Sequence, residues 1–447
     1  MILRYALLTA MVALPATPLC ASTVLTFDVV SHTEAPKGAK DAKGVARPAD
    51  ASYTQTVTLA GDTLLIDEPD KQVRYDFRGT RIDALDKRTH SYDERSLYTV
   101  IGFNVAEFSN RMMLGGMLAA GKVKNNPMAP ALTENLMSMS DPVSATVIEH
   151  RATGKEIVYS WNGQTLMTVS PQTRAVPAAV LTQYLRFLRY STGGHPQILA
   201  ALGGGQGIPE RLTVVRSNVG VETRTLTLRS MEERPDAPFA LEGYTRAMPE
   251  GEPYATLKRL SAAPAADLEA RAAVLWQERD AALTAGHVLD ALLANFAASL
   301  AIGDQGAAST WIAAQREAIN ADADVQAMIR SINPGDAVGA RAAADTLAGL
   351  KRSAGPHAYV LNIFEANIRL GLHEVNKAIE LFLAALDAEP TITGVWVDLG
   401  GAYYAGFRAD AAWACWDAAR ALRPTHYMLK PIDERERKLR TDHPEFF

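Results

Sequence analysis

The sequence contains very little cysteine, with Cys20 and Cys415 as the only two among 447 residues. Cys20 lies in an N-terminal segment that we expect to be cleaved, which leaves Cys415 alone in the mature chain. A single cysteine cannot form an internal disulfide bond, and it cannot supply the thiolates of a structural zinc or redox centre. Both classes of cysteine-based site are therefore excluded.

Long apolar runs are also missing after the N-terminal segment. A membrane-spanning helix needs about 18 or more consecutive apolar residues. The best candidate, Leu97 to Ala120, is interrupted by Asn104, Glu107, Asn110 and Arg111. We predict an amphipathic helix here and no transmembrane segment.

Familiar catalytic and phosphate-binding motifs are absent as well. The nine histidines include no HxxxH or HExxH pair, and no GxSxG elbow occurs. The cluster Gly203 to Gly207 lacks a following GK[ST] and leads into a strand, so it predicts a helix-to-strand turn rather than a phosphate loop. The segment Asp67 to Asp70 lacks the spaced ligands of a calcium loop and predicts a charged hairpin turn.

One serine lies close to a histidine in the sequence, at Ser191 and His195. No acid that could orient the histidine is identifiable, and sequence proximity says little about triad geometry. We therefore assign no catalytic residue, no metal ligand and no cofactor. The prediction is that the protein is not an enzyme, with an unrecognised activity as the open alternative.

The N-terminus has the pattern of a secretory signal peptide. Arg4 supplies a positive start, an apolar run reaches Leu14, and small Ala21 stands at the expected cleavage site. Residues 1–21 are therefore predicted to be removed, and the mature chain is expected outside the cytoplasm, in the periplasm. Lipid anchoring at Cys20 is the less favoured alternative, because bulky Leu19 precedes the cysteine where lipoprotein signals carry a small residue.

Composition favours a globular chain of more than one domain. The net charge is -5 and 48% of the residues are hydrophobic. A dedicated nucleic-acid binder would need a concentrated basic surface, so nucleic acid is not an expected partner. A chain of this length exceeds one ordinary core, and two domains are the starting expectation.

The first half, residues 22–247, has the pattern of an α+β domain. Short alternating runs from Tyr53 to Phe77 predict an antiparallel meander, after a loop-like segment from Glu34 to Ala51. The dipeptide Asn162-Gly163 between two further strands favours a type I′ hairpin. Helices are predicted within Leu97 to Gly121 and Pro177 to Tyr190, so the domain is an antiparallel sheet with helical insertions.

The second half, residues 264–440, is alanine-rich and helical. Five helices are predicted before Gly355-Pro356, with breaks at Gly286, Gly303 and Asn333-Pro334-Gly335. Helices joined by short Gly/Pro turns are typical of a helical hairpin array, here an all-α solenoid. Residues 248–263, which include Pro249 and Pro253, form the predicted linker between the halves.

Near the C-terminus a repeat signature occurs. It comprises Trp396, Leu399, Gly400, Tyr403, Ala412, Trp416, Ala419 and Pro424. This spacing resembles the tetratricopeptide repeat, with Trp416 in place of the usual Phe. The resemblance implies that these residues pack one helix on the next, that Gly400 lets the second helix approach closely, and that Ala412 and Ala419 keep that helix thin.

An earlier unit resembles the same family at the period of 34 residues. The two clearest repeats are 359–392 and 393–426. Ala378, Phe382 and Ala385 match the second-helix positions, but the first helix fits less well. Shifting its register by one residue places Leu361, Phe364 and Ile368 on the packing face, and predicts one extra residue in the turn around Gly371-Leu372-His373.

Members of this family bind protein or peptide partners on the concave face that the first helices form. Carried onto this sequence, that face would present Tyr359, Asn362, Arg369, Val397 and Tyr404. Val397 and Asp398 stand where a carboxylate clamp would need positive charge, so no such clamp is predicted. For each of these residues, plain packing between repeats is an equally good interpretation.

We therefore predict an exported adaptor or assembly factor that binds a protein partner through its C-terminal helical repeats. The alternative is a periplasmic carrier that holds lipid or lipoprotein acyl chains against the N-terminal sheet, with Met112-Met113-Leu114 and Met137 as candidate lining. No motif supports that alternative, and architecture alone is weak evidence for function.

Overall fold

A computed structural model describes residues 21–34, 50–121, 126–140, 145–217, 220–236, 239–262 and 267–447. The predicted signal segment before Ala21, most of the loop between Glu34 and Ala51, and Pro264 lie outside the described residues. The described chain consists of a large sheet in the N-terminal part, followed by a run of helices.

Fourteen strands occur in the described residues. They are β1 Ala21–Glu34, β2 Ala51–Ala60, β3 Thr63–Asp67, β4 Lys71–Asp76, β5 Arg81–Asp86, β6 Ser91–Ser96, β7 Glu149–Ala152, β8 Ile157–Trp161, β9 Gln164–Val169, β10 Thr173–Ala175, β11 Gly207–Pro209, β12 Arg211–Ser217, β13 Val221–Pro235 and β14 Thr245–Arg246. Twelve of them form one sheet in the order β14-β6-β5-β4-β3-β2-β1-β13-β12-β9-β8-β7. All neighbours are antiparallel except β14, which is parallel to β6. The predicted antiparallel meander is confirmed.

The sheet is amphipathic, as the alternation of its strands requires. On β1, the alternate residues Leu25, Phe27 and Val29 are all buried, and Val57 and Leu59 continue the apolar surface on β2. Turn chemistry agrees with the sequence at the β8–β9 hairpin. Asn162 and Gly163 have φ angles of 48° and 74°, the positive values of a type I′ turn.

Sixteen α-helices occur in the described residues. They are α1 Leu97–Ala120, α2 Pro130–Met137, α3 Ala178–Ser191, α4 Pro196–Gly203, α5 Tyr254–Ala262, α6 Leu268–Thr284, α7 Val288–Ile302, α8 Gln305–Ala314, α9 Arg316–Ala321, α10 Ala323–Ile332, α11 Ala337–Leu350, α12 Tyr359–Gly371, α13 Val375–Ala388, α14 Thr393–Ala405, α15 Ala409–Leu422 and α16 Lys430–Asp442. None of these helices is both long enough and apolar enough to cross a membrane.

Helices cover the apolar face of the sheet. Tyr184, Phe187 and Leu188 of α3 are fully buried, and the Phe187 ring stacks on Phe27 of β1 with centroids 5.8 Å apart. Ile101 of α1 is buried in the same core. The sheet face is therefore packed with side chains from α1 and α3 rather than left open.

The segment predicted as a linker contains a helix. α5 begins at Tyr254 and packs against α13 and α15. Its Tyr254 hydroxyl donates to Asp410 Oδ2 of α15 at 2.9 Å. This stretch therefore belongs to the helical part of the molecule, although its prolines are typical of a linker.

The last two helical hairpins repeat with a fixed period. Helices α14 and α15 each begin 34 residues after α12 and α13, and each pair is separated by three residues. The extra residue predicted around Gly371-Leu372-His373 is therefore wrong. The register shift was predicted because Glu365 and Arg369 stand at signature positions where apolar residues are expected. In the structure these two side chains form an ion pair of 3.1 Å instead.

The C-terminal segment joins the helices to the sheet part. Phe446 is completely buried, and its ring meets Tyr190 of α3 edge-on at 5.8 Å. The Tyr190 hydroxyl donates to the Phe446 carbonyl at 2.8 Å. Trp413 of α15 packs against Tyr98 of α1, with ring centroids 6.4 Å apart. The two parts therefore share one continuous apolar core.

Candidate functional site

The repeat-signature residues form a packed layer between helices. Trp396, Leu399, Gly400, Tyr403, Ala412, Trp416 and Ala419 are buried, and Pro424 lies in the exposed turn after α15. Trp416 Nε1 donates to the Val397 carbonyl at 3.1 Å. A Cβ added at Gly400 would lie 2.2 Å from Trp416 Nε1, so only glycine permits this helix approach.

The residues predicted for partner binding do not form one open surface. Val397 is buried, and the Tyr404 ring lies under the Arg435 guanidinium at 4.2 Å. Arg369 is held by Glu365 and by Glu374, whose Oε2 lies 3.0 Å from its Nη1. Tyr359 and Asn362 are half-buried.

Helix α7 covers the face that the first helices of the hairpins form. It contacts α10, α12 and α14 in turn. Phe296 of α7 meets Phe364 of α12 edge-on at 5.5 Å, and the Thr393 hydroxyl of α14 donates to the Ala301 carbonyl at 2.9 Å. Almost every residue from Leu289 to Ile302 is buried. The first-helix face is therefore filled by a helix of the same chain.

An open cleft lies where the edge of the sheet meets the helices. This cleft, which we call the β6–α15 cleft, has a volume of about 960 Å³ and is lined by β6, the residues after β14, α5 and α15. Its floor is apolar and is made of Ala414, Ala418 and Leu422 of α15 with Leu257 and Leu260 of α5. Clefts of this size with apolar floors are typical of ligand sites.

The rim of the β6–α15 cleft carries charges of both signs. Arg81 Nη1 lies 2.5 Å from Asp417 Oδ2, which ties β5 to α15. Arg246 Nη2 lies 3.5 Å from Glu94 Oε2. Burial raises the pKa of Asp93, although Arg95 and Arg246 act in the opposite direction. A bound chain would therefore meet both donors and acceptors along this rim.

One wall of the cleft is an unpaired strand edge. β14 pairs only with Ser91 and Tyr92 of β6. The Ala247 N–H donates to the Tyr92 carbonyl at 2.7 Å, and no described residue pairs with this edge of β6 further along. Because alternate backbone groups of a strand point to the same side, the N–H and C=O of Glu94 face the cleft.

A further polar group in the cleft has no partner. Thr99, in the first turn of α1, is 6% exposed and lines the cleft. Its hydroxyl makes no hydrogen bond within the described residues. A buried hydroxyl without a partner is costly, which is consistent with a ligand that would satisfy it.

His195 does have an acidic partner, but the pair does not activate Ser191. His195 Nε2 lies 3.0 Å from Glu134 Oε2, and both side chains are buried. The other ring nitrogen accepts the Gln197 N–H and so caps α4. The Ser191 hydroxyl instead pairs with Thr192 Oγ1 at 2.9 Å. This cluster is therefore a helix cap and not a nucleophile–base pair.

The other two motifs are structural turns. Gly203 to Gly207 joins α4 to β11, and a Cβ at Gly207 would lie 2.2 Å from the Arg174 carbonyl. Asp67 to Asp70 joins β3 to β4, and Glu68 accepts from Gln55 Nε2 at 2.7 Å. Across the described residues no group of three or more His, Cys, Asp or Glu is arranged to hold a metal ion.

A buried histidine links α7 to the chain before α12. His357 Nδ1 lies 3.0 Å from Asp290 Oδ1, and its Nε2 lies 3.2 Å from Glu278 Oε2. Burial by itself lowers the pKa of His357, but the hydrogen bonds and charges of Asp290 and Glu278 outweigh it and raise the pKa above 6.5. The neighbouring Arg271 and Tyr359 complete this polar cluster.

This raised pKa gives a pH-dependent contribution to stability. The contribution is fully present below the unfolded-state pKa of about 6.5 and is lost as pH rises through the higher folded-state pKa. We expect His357→Gln to cost about 1.5–3 kcal/mol near pH 5.5 and progressively less above pH 7. Urea unfolding of both proteins between pH 5.5 and 8.5 measures this. Substitution of exposed His287 to Gln is the control, and a cost for His357→Gln that grows with pH would contradict the assignment.

Sequence reasoning missed the β6–α15 cleft, because its lining comes from segments between Arg81 and Leu422 that meet only in three dimensions. A signal for α7 did exist, since its sequence is apolar on every side and so predicts a buried helix. Comparison with known proteins finds no family model that matches the chain and no match among curated proteins.

Proposed function

We propose that the protein is a protein-binding adaptor that takes an extended segment of a partner protein into the β6–α15 cleft. The observation that carries the proposal is the unpaired edge of β6 facing the apolar floor of α15 across this cleft. The helical part would act as an α-solenoid of tetratricopeptide type. The fixed period of its last two hairpins and the close approach at Gly400 support that interpretation.

Strand addition is the binding mode that fits this geometry. A partner segment beside β6 would exchange main-chain hydrogen bonds with Glu94, as in β-augmentation. Side chains on one face of that segment would contact the alanine-rich floor, where small residues leave room for larger ones. Side chains near the rim would meet Arg246 and Asp93. The main chain would provide affinity, and the floor and rim would provide specificity.

The proposed binding surface, the β6–α15 cleft, differs from the first-helix face that the sequence predicted. In this chain α7 contacts the first helices on that face. The cleft is lined by α15 residues such as Ala414 and Ala418, which are not among the repeat-signature residues. The repeats would therefore bind the partner through α15, the second helix of the last hairpin, and the edge strand β6 would form the other wall of the site. Both parts of the molecule would be needed for binding.

Export to the periplasm is part of the same proposal. It rests on the signal-like sequence of Met1 to Ala21. Ser22, which follows the predicted cleavage site, is buried in β1. The carrier alternative ranks second, because side chains of α1 and α3 cover the apolar face of the sheet. An adaptor needs no such internal cavity.

Peptide selection tests the proposed site. We expect peptides selected by phage display on the full mature chain to bind with measurable affinity in fluorescence polarisation. Ala418→Arg places a long cation on the cleft floor and should weaken that binding at least about tenfold. Methylation of alternate peptide amides should weaken it similarly, because strand addition requires those donors.

A matched control is available on the preceding hairpin. Ala384 of α13 is exposed, and Ala384→Arg should leave peptide affinity unchanged. Circular dichroism of both variants establishes that the fold is retained. Selected peptides that bind Ala418→Arg as tightly as the unsubstituted protein, and that tolerate amide methylation, would refute the proposal.

A further inference from the structure

A second pocket lies on another part of the molecule, between α1, the end of α2, the end of α3 and β12. Its volume is about 410 Å³. Three arginines line it: Arg111 of α1, Arg189 of α3 and Arg216 of β12. Among the described residues of the lining, Glu107 is the one acidic side chain. The pocket therefore has an excess of positive charge within a protein whose net charge is negative.

Arg189 is the unusual member of this group. Its Nε is buried and has no hydrogen-bond partner, and no carboxylate in the described ranges forms an ion pair with its guanidinium. Burial lowers the pKa of Arg189, and the charge of Glu445 offsets part of this effect. A half-buried cation without a paired anion is costly, so the protein maintains this charge at the expense of stability.

Arg216 approaches the same pocket from the sheet. Its Nε is likewise buried and has no hydrogen-bond partner among the residues that the structure describes. Its Nη1 lies 3.7 Å from Glu222 Oε2, and both of these side chains are partly exposed. A pair of that length at the surface contributes little. Arg111 is different, since its Nε lies 2.7 Å from Glu107 Oε1. The charge available to a ligand therefore comes from Arg189 and Arg216.

Apolar side chains also line this pocket. Val100 and Phe103 of α1 and Leu136 and Met137 of α2 contribute to its lining. Phe103 is 48% exposed, so its ring stands open at the pocket wall. A pocket that combines two guanidinium groups with an aromatic and aliphatic wall is complementary to an amphiphilic anion.

We propose that this pocket binds a small organic anion, with a carboxylate or phosphate on Arg189 and Arg216 and a short apolar group against Phe103 and Met137. The forked donors of arginine match the paired oxygens of either acid group. The ligand is a soluble molecule of the pocket's size, and binding involves no covalent step. This site is separate from the β6–α15 cleft and does not depend on peptide binding there.

Titration calorimetry of the full mature chain tests the proposal with octanoate, phenyl phosphate and inorganic phosphate. We expect octanoate and phenyl phosphate to bind saturably, and inorganic phosphate at least about tenfold more weakly, because it lacks the apolar group. Arg189→Gln and Arg216→Gln should each weaken the binding of both organic anions at least about tenfold. Arg229→Gln should not, since Arg229 pairs with Asp28 on the exposed side of the sheet.

Thermal melting of the free proteins separates a binding role from a packing role. Arg189→Gln removes an unpaired cation, so its Tm should equal or exceed that of the unsubstituted protein. Arg189→Lys keeps the charge but not the fork, and should bind the anions with intermediate affinity. A lower Tm with unchanged anion affinity would overturn the proposal and make Arg189 a packing residue.

Three further results would also overturn the inference. The first is the absence of saturable binding of either organic anion, and the second is equal affinity for inorganic phosphate and phenyl phosphate. The third is an affinity for the organic anions in both arginine variants that equals that of the unsubstituted protein. Binding to phosphatidylglycerol vesicles tests whether the phosphate group recognised by the pocket belongs to a membrane lipid. Vesicle binding that requires Arg189, without binding of octanoate or phenyl phosphate, would replace the soluble ligand by a lipid headgroup.

Discussion

Trp413→Ala is expected to lower the free energy of unfolding by about 3–5 kcal/mol. Trp413 is fully buried and lies between Tyr98 of the sheet part and Trp416, whose ring centroid is 4.9 Å away. Its Nε1 has no hydrogen-bond partner in the described chain. Truncation therefore removes packing without breaking a hydrogen bond, and the loss combines the transfer free energy of the indole ring with the cost of the cavity.

Urea unfolding followed by circular dichroism measures this effect. Because Trp413 contacts both α1 and the last hairpins, strand and helix signals should shift to lower urea together. Phe407→Ala is the control, since Phe407 is 66% exposed and should change stability by less than about 0.5 kcal/mol. A variant in which only the helical signal shifts would show that the two parts unfold independently.

Adjacent glycines in α14 should respond in opposite directions to the same substitution. A Cβ at Gly400 would lie 2.2 Å from Trp416 Nε1, whereas nothing lies within 4 Å of a Cβ at Gly401. Gly401→Ala should therefore stabilise by up to about 1 kcal/mol through helix propensity. Gly400→Ala gains the same propensity but forces Trp416 to move, for a net loss of about 1–3 kcal/mol.

The difference between the two variants, about 2–4 kcal/mol by these estimates, is what urea unfolding should detect. Trp416 has little freedom to move, because its Nε1 is bonded to the Val397 carbonyl. Intrinsic propensity is identical in the pair, so only the helix approach distinguishes them. Equal stabilisation by both substitutions would mean that α14 and α15 can separate without cost.

Sequence patterns predicted the elements whose local chemistry agrees with their tertiary role. β3 and the Asn162-Gly163 turn are examples, because apolar alternation and positive φ are properties of a few adjacent residues. β5 and β6 were missed, since Arg81–Asp86 and Ser91–Ser96 are mostly polar and lack β-branched runs. β5 is a strand because it pairs with β4, and β6 because it pairs with β5; intrinsic propensity does not report such pairing.

The candidate sites depended even more on tertiary contacts. The apolar sequence of α7 indicated burial, but nothing local showed that it would cover the first-helix face, or that Tyr404 would lie under Arg435. The acid that pairs with His195 comes from a helix 61 residues earlier. The arginines of the second pocket likewise come from three separate elements. Sequence spacing can identify a face of one helix, but not which other element will cover it.

The position of β1 in the sheet has a consequence for how the chain folds. β1 is a central strand, with β2 on one side and β13 on the other. Ser22 of β1 is bonded to Arg234 of β13 across a separation of 212 residues. The hairpins from β1 to β6 can form from neighbouring segments, but the second edge of β1 stays unpaired until β13 arrives. Closure of this long loop is slow compared with local pairing, so the sheet becomes complete only late in folding, after most of its hairpins exist.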